Sequence, residues 1–250
     1  MIDLLFKFAK YFLPSTCILG LVCIVVAKLQ LPDFLEYGKT LRNHDNNENS
    51  GVLELLAHFT LPKSLFSHFY VISFAFSLFE VIVYPNQDLV WILMAHSLRR
   101  LYETLFVCKY NENSRMNWSH YAVGIWFYSS LHVVTITKLY QNDISEKISP
   151  IITVIFCLAS ADQYRNHVIL SNLIKYSLPK RGLFRYTCCP HYLDEIVIYA
   201  SLTAINIDYA WLLIWVVISL SVSATETREY YLHKFKDEPV PSSAIIPFIW

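Results

Sequence analysis

The feature that most constrains this chain is a series of apolar runs, each about as long as a bilayer is thick. Residues 11–28, 66–84, 89–108, 118–137, 148–172, 190–206 and 208–225 are such runs, bounded by Pro, Asn, Asp or Lys clusters. A helix needs about 20 apolar residues to cross a hydrocarbon core of about 30 Å. A spanning helix satisfies its own backbone polar groups, and these runs are too long and continuous for barrel strands. The expected fold is therefore all-α: a multi-span integral membrane protein with about seven transmembrane helices. Only 16% of the residues are charged and 55% are hydrophobic, where a soluble domain carries about 25% charged residues.

Charge position gives an orientation. With a lumenal N-terminus, the cytosolic connections hold Lys28, Lys39, Arg42, Lys63, Lys109, Arg115, Arg165, Lys175, Lys180, Arg181, Arg185, Arg228, Lys234 and Lys236, leaving Lys7, Lys10, Lys138 and Lys147 outside. That asymmetry predicts a cytosolic C-terminus. Lys7 and Lys10 before an apolar run imitate a signal peptide, but no small-residue cleavage site follows, so a retained first span is expected. Two units are read: residues 1–60, a first helix with a polar loop around His44–Ser50, and residues 61–250. Formal net charge is zero, which gives no field for nucleic acid. The six cysteines form no CxxC pair, and no Cys/His or carboxylate/His spacing suits a metal, so free thiols and no metal are expected. The sequon Asn117-Trp118-Ser119 abuts a span on the cytosolic side and carries little weight.

The informative residues are those a membrane should not tolerate. His96-Ser97-Leu98-Arg99-Arg100-Leu101-Tyr102-Glu103 lies in the third run. Helical spacing puts His96, Arg100 and Glu103 near one face and lets Arg99 pair with Glu103 four residues on. The alternative is that the arginines snorkel to the headgroups. Gln163 and His167 share a helical face at the end of the fifth run, where they could hold a nucleotide or form a solvated helix end. His191, Asp194 and Glu195 follow Pro190 at the start of the sixth. Capping explains Asp194, less readily Glu195. His58, His120 and His132 read as ordinary core or interface histidines. No G-x-G-x-x-G or P-loop occurs and there are only five glycines, so a dinucleotide would rely on basic side chains, helix ends and aromatic faces.

Several motifs carry a resemblance. They are Tyr230-Tyr231-Leu232-His233-Lys234-Phe235 with Ala244-Ile245-Ile246-Pro247-Phe248, Leu183-Phe184-Arg185-Tyr186 with Pro190-His191-Tyr192-Leu193-Asp194-Glu195, and Arg100–Val107 with Ser114-Arg115-Met116. Over about residues 60–250 the chain resembles the steroid 5-alpha-reductase family. Pro62-Lys63, Phe66–Tyr70, His96–Arg100 and His167–Leu170 are similar to its polyprenol-reductase branch, in particular the fungal members. The resemblance implies an NADPH-dependent membrane reductase of the endoplasmic reticulum, over residues 61–250. It would saturate the α-isoprene unit of polyprenol or polyprenal on the route to dolichol, the lipid carrier of N-glycosylation.

By position, the resemblance assigns Arg100, Tyr176, Glu195 and Tyr231 to the cofactor, together with His191, which stands where relatives commonly have asparagine; Gln163 and His167, on their shared helical face, join them. It departs from the steroid branch at Ser171, Ile174 and Thr227, where that branch has two arginines and a histidine, and at Ser97, where that branch has a ketone-polarising tyrosine. A steroid ketone is thereby disfavoured. Hydride addition to an alkene needs a conjugated carbonyl as electron sink, which favours the aldehyde over the allylic alcohol. His68, His96 and Tyr102 are candidate donors to its oxygen or acids for the proton, His68 ranked first. The expected partners are a polyisoprenoid lipid and the surrounding bilayer. A 3-oxo-steroid or trans-2-enoyl-CoA reductase on the same scaffold, or a non-catalytic membrane scaffold or small transporter, are the competing readings.

Overall fold

In a computed structural model the protein is described over residues 2–30, 59–110, 114–173 and 177–249. The polar run His44–Ser50, His58, Ile174 and Tyr176 lie outside the described residues. Among the described residues seven α-helices dominate: α1 (Ile2–Gln30), α2 (Ser67–Val83), α3 (Asp88–Tyr102), α4 (Trp118–Tyr140), α5 (Pro150–Ser171), α6 (Pro190–Ile205) and α7 (Ala210–Lys234). Each coincides with one of the apolar runs. Proline stands at the first turn of α5 and of α6, where its missing N–H leaves no helical bond unmade.

The helices are not uniform as bilayer elements. Among the described residues, three stretches are long and apolar enough to cross a membrane: Tyr11–Leu29, Lys63–Val83 and Ile207–Lys234. Helix α3 has 15 residues and α6 has 16, so each rises only about 22–24 Å. A π-helical stretch, Glu103–Val107, prolongs α3.

The all-α expectation holds for every long element, with one small departure. Strands β1 (Thr60–Pro62) and β2 (Arg115–Asn117) pair antiparallel, Thr60 opposite Asn117 and Pro62 opposite Arg115. Arg115 reinforces the pair by donating from Nη2 to the Thr60 carbonyl at 2.6 Å and from Nε to Thr60 Oγ1 at 3.1 Å. Three residues per strand are too few to leave a period-2 pattern in sequence. The sequon's Asn117 is fully buried and caps α4, accepting from the Ser119 N–H at 2.9 Å.

Helix α2 shows how the packing departs from that of a water-soluble protein. Its buried positions include Tyr70, Ser73, Ser77 and Glu80, a polar stripe at helical spacing. Its exposed positions include Val71, Leu78, Phe79, Ile82 and Val83. Polar residues inside and apolar residues outside suit a helix solvated by lipid. Helix α2 packs on α3 and α4, α5 on α6, α6 on α7, and α1 on α7 and α4. Gly20 lets α1 approach α7 closely: a Cβ there would lie 2.5 Å from the Trp215 ring. The main core gathers Leu89, Leu93, Leu131, Ile198, Tyr199 and Leu212. A second, smaller core joins Cys188, Cys189, Ala224, Tyr231 and Ile245. All six cysteines are free thiols.

Candidate functional site

Alternation of the helices brings the end of α3, the end of α5, and the starts of α2 and α6 to one end of the bundle. There the ionisable residues of three apolar runs meet. Glu103, in the π-helical extension of α3, has a fully buried side chain. One carboxylate oxygen receives Arg99; the other receives Arg100 and lies 2.6 Å from His167 Nδ1 on α5. Arg99 also donates to Gln163 Oε1 at 2.7 Å and lies 3.3 Å from His96 Nδ1. Arg100 donates to the Tyr70 hydroxyl at 2.5 Å and sits over that tyrosine's ring, 4.6 Å from its centroid. Its Nη1 is also 2.9 Å from His167 Nδ1. That ring nitrogen either donates to Glu103 or accepts from Arg100, one role at a time.

The network continues onto α6. Gln163 donates to Glu195 Oε2 and, at 3.3 Å, to the His191 carbonyl. Asn166 donates to Asp194 at 2.8 Å and to Asp162 at 3.1 Å. The His167 and His191 rings lie 5.6 Å apart, edge to face. Two guanidiniums against one shared carboxylate leave the centre of the cluster with an excess of donors. His96 Nε2, Arg99 Nε, Arg100 Nε and the Tyr199 hydroxyl are buried and have no hydrogen-bond partner among the described residues. Burying a polar atom unpaired costs about 1–3 kcal/mol, so four in one region mark a place where a ligand's polar groups fit. Among the described residues no group of His, Cys, Asp or Glu could hold a metal ion.

Comparison with known proteins decides the family. A profile of the 3-oxo-5-alpha-steroid 4-dehydrogenase family matches residues 114–250. The polyprenal reductase of Saccharomyces cerevisiae is 51% identical over 98% of this chain and 97% of its own length. Polyprenal reductases of Caenorhabditis elegans (28% identical over 95% of this chain and 93% of theirs) and Danio rerio (26% over 96% of each) are more distant relatives. The chain belongs to the steroid 5-alpha-reductase family, in its polyprenol-reductase branch.

Of the residues that the family resemblance and the helical spacing single out, the structure brings together His96, Arg100, Gln163, His167, His191 and Glu195. Two others lie apart, His68 and Tyr102. His68 is exposed at the start of α2, its Nδ1 3.0 Å from the Tyr121 hydroxyl. Position 68 is about 200° around the helix from Tyr70, so it faces away from Arg100. Tyr102 is half-exposed and packs on Phe106, 5.3 Å between ring centroids. Tyr231 is buried in the second core, against which Tyr192 and Leu193 of α6 also pack, and its ring meets Phe235 and Tyr230. Sequence reasoning passed over Tyr70 and gave Asp194 only a capping role. The signal for Tyr70 was present in the stripe Tyr70, Ser73, Ser77 and Glu80, which repeats every three to four residues through an otherwise apolar helix.

Proposed function

We propose that this protein is a polyprenal reductase: it adds hydride and a proton across the α-isoprene double bond of polyprenal, on the route to dolichol and thence to protein N-glycosylation. The observation that carries this reading is the 51% identity, over nearly the whole of both chains, with a polyprenal reductase. The unsaturated aldehyde is the species reduced, since its carbonyl accepts the charge that develops as hydride reaches the β-carbon, and an allylic alcohol offers no such sink.

NADPH supplies the hydride in this reading. Arg100, Gln163, His167, His191 and Glu195 hold it, and the unpaired donors Arg99 Nε and Arg100 Nε suit its carboxamide and ribose oxygens. Tyr176 and Tyr231 are assigned to the cofactor by family position. Among the candidate donors His68, His96 and Tyr102, the buried and unpaired His96 Nε2 is best suited to bond the aldehyde oxygen. The lipid tail lies against the apolar exterior, where Leu105 and Phe106, in the stretch that carries Glu103, are exposed. All seven helices span the endoplasmic reticulum membrane, with the arginine end and the C-terminus on the cytosolic side, where NADPH is reached, and with residues 61–250 as the reductase unit.

Full-length protein incubated with NADPH and, separately, a polyprenal, a 3-oxo-Δ4 steroid and a trans-2-enoyl-CoA tests the reading. Turnover of the polyprenal, with the new C–H at the β-carbon derived from NADPH, is expected. Turnover of only the steroid or the enoyl-CoA contradicts it.

A further inference from the structure

A second polar assembly runs away from the arginine network into the helix bundle. Helix α2 presents Ser73, Ser77 and Glu80, helix α3 presents Ser97, and helix α4 presents His132. Each is at most 1% exposed. Ser97 Oγ lies 2.7 Å from Ser73 Oγ and 3.0 Å from Ser77 Oγ. Ser73 Oγ is 2.9 Å from His132 Nε2, and His132 Nδ1 is 2.9 Å from Glu80 Oε1. Phe76 stacks on the imidazole at 5.5 Å and fixes its plane. The other carboxyl oxygen, Glu80 Oε2, is buried and has no hydrogen-bond partner among the described residues. Four hydrogen-bonded groups thus form one unbroken file, Glu80, His132, Ser73, Ser97, with Ser77 as a branch.

A purely architectural role leaves two features without a cause. Serines bonded to one another would hold α2 and α3 together without an imidazole and a carboxyl. A carboxyl with no Lys or Arg bonded to it and one oxygen unpaired is costly in a lipid-surrounded interior. The two ends of the file are also informative. Ser97 follows His96 on α3 and stands about one turn before Arg100, so the file begins on the helix that carries the arginine network. Glu80 is in the last turn of α2, beside the exposed turn that leads to Asp88.

We propose that this file supplies the proton for the reduction, drawing it from water at the far end of α2 and delivering it through Ser97 to the substrate. The inference rests on the polyprenal-reductase reading above. The β-carbon gains a hydrogen with its electron pair from reduced nicotinamide, and the former double-bond pair then resides on the enolate α-carbon. That pair takes the Ser97 hydroxyl proton, forming the α C–H bond. Ser97 recovers a proton from the Ser73 hydroxyl, Ser73 from His132 Nε2–H, and His132 Nδ1 from neutral Glu80. One proton leaves the file at one end, Glu80 is left as carboxylate, and water reprotonates it at Oε2 as the hydroxyls and the imidazole tautomer reset. Ser97 is the residue that meets the reacting carbon; Ser73, His132 and Glu80 act through it.

The test is a single-turnover measurement of polyprenal reduction by full-length protein in H2O–D2O mixtures, so that product release does not mask the step. Wild type is expected to show a solvent isotope effect with a bowed dependence on deuterium fraction, the mark of several protons moving together. Ser73→Ala and Glu80→Gln are expected to lower the single-turnover rate at least tenfold with the NADPH dissociation constant within twofold of wild type. Ser73→Thr, which keeps the hydroxyl, is expected to recover most of the rate. A linear dependence or no solvent isotope effect in wild type overturns the proposal, and that result needs no variant to fold. So do Ser73→Ala and Glu80→Gln proteins that bind NADPH normally and keep wild-type rate and isotope effect. Failure of wild type to reduce polyprenal at all contradicts instead the assignment of function.

Discussion

The Arg/Lys ion pairs at the two ends of the bundle meet solvent to different degrees. At the α3–α5–α6 end, Glu103, Arg100 and Arg99 have side chains 0%, 9% and 16% exposed. At the other end Lys147 pairs with Asp88, and Lys138 with Asp143 and Asp208; the Lys147 side chain is 79% exposed and that of Asp143 58%, with Lys138 itself at 17%. Exposed pairs contribute about 0–1 kcal/mol. Burying charge costs several kcal/mol per ion, and apolar packing of similar volume is often as stable. The exposed pairs are therefore accounted for by folding alone, whereas the buried arginine network gives no stability that apolar packing could not equal.

The sharpest way to break this contrast is to truncate one member at each end. Arg100→Ala leaves Glu103 and the Tyr70 hydroxyl with a lost partner inside the bundle, an expected cost of about 3–5 kcal/mol. Lys147→Ala is expected to cost less than about 1 kcal/mol. Chemical denaturation in detergent reads both, and equal losses at the two ends would remove the distinction. Tyr70→Phe deletes one hydrogen bond to a charged group, and about 1.5–3 kcal/mol is expected on the same scale. Gly124→Ala probes the packing behind that tyrosine: a Cβ there would stand 2.4 Å from the Phe69 ring. Overpacking of about 1–3 kcal/mol is expected, together with a weaker apparent affinity for NADPH if the displaced ring disturbs Tyr70.

The smallest effect belongs to pH at the exposed end. Hydrogen bonds from Lys147 and from the Ile148 N–H hold the Asp88 carboxyl below its ordinary 3.8, and Lys138 does the same for Asp143. Burial opposes the Lys138 charge, but its bonds to Asp208 and Asp143 outweigh that and raise it above 10.5. Depressed acids stabilise the fold above their unfolded value and lose that contribution as pH falls through the folded one. A raised amine stabilises below its unfolded value and loses that contribution as pH rises through the folded one. These pairs therefore leave stability flat between about pH 5 and 9, and a Lys138→Met variant scanned by thermal unfolding across that range should keep the shape of the wild-type profile.

The same contrast explains what was legible in the sequence. Helix positions followed from local hydropathy: run 66–84 became Ser67–Val83 and run 190–206 became Pro190–Ile205. Arg99, Arg100 and Glu103 stood out because charge in an apolar run is conspicuous without any knowledge of packing. Tyr70, Ser73 and Ser77 did not, since each alone is ordinary in a membrane helix and only contact with α3 and α4, far along the chain, gives them partners. His132 read as a core histidine, and it is buried as such, but nothing local pointed to Glu80, 52 positions away. His68 and Tyr102 drew attention by type and proximity to motifs, and helical phase turned both outward.

The most direct test of the central claim, that the buried polar end is the reducing centre for polyprenal, is a lipid profile. Cells lacking the protein would be complemented with wild type, Arg100→Ala or Lys147→Ala, matched for the amount of protein in the membrane. Wild type and Lys147→Ala should restore dolichols and clear accumulated polyprenoids, while Arg100→Ala leaves dolichols depleted. Full restoration of dolichol by Arg100→Ala would contradict the account.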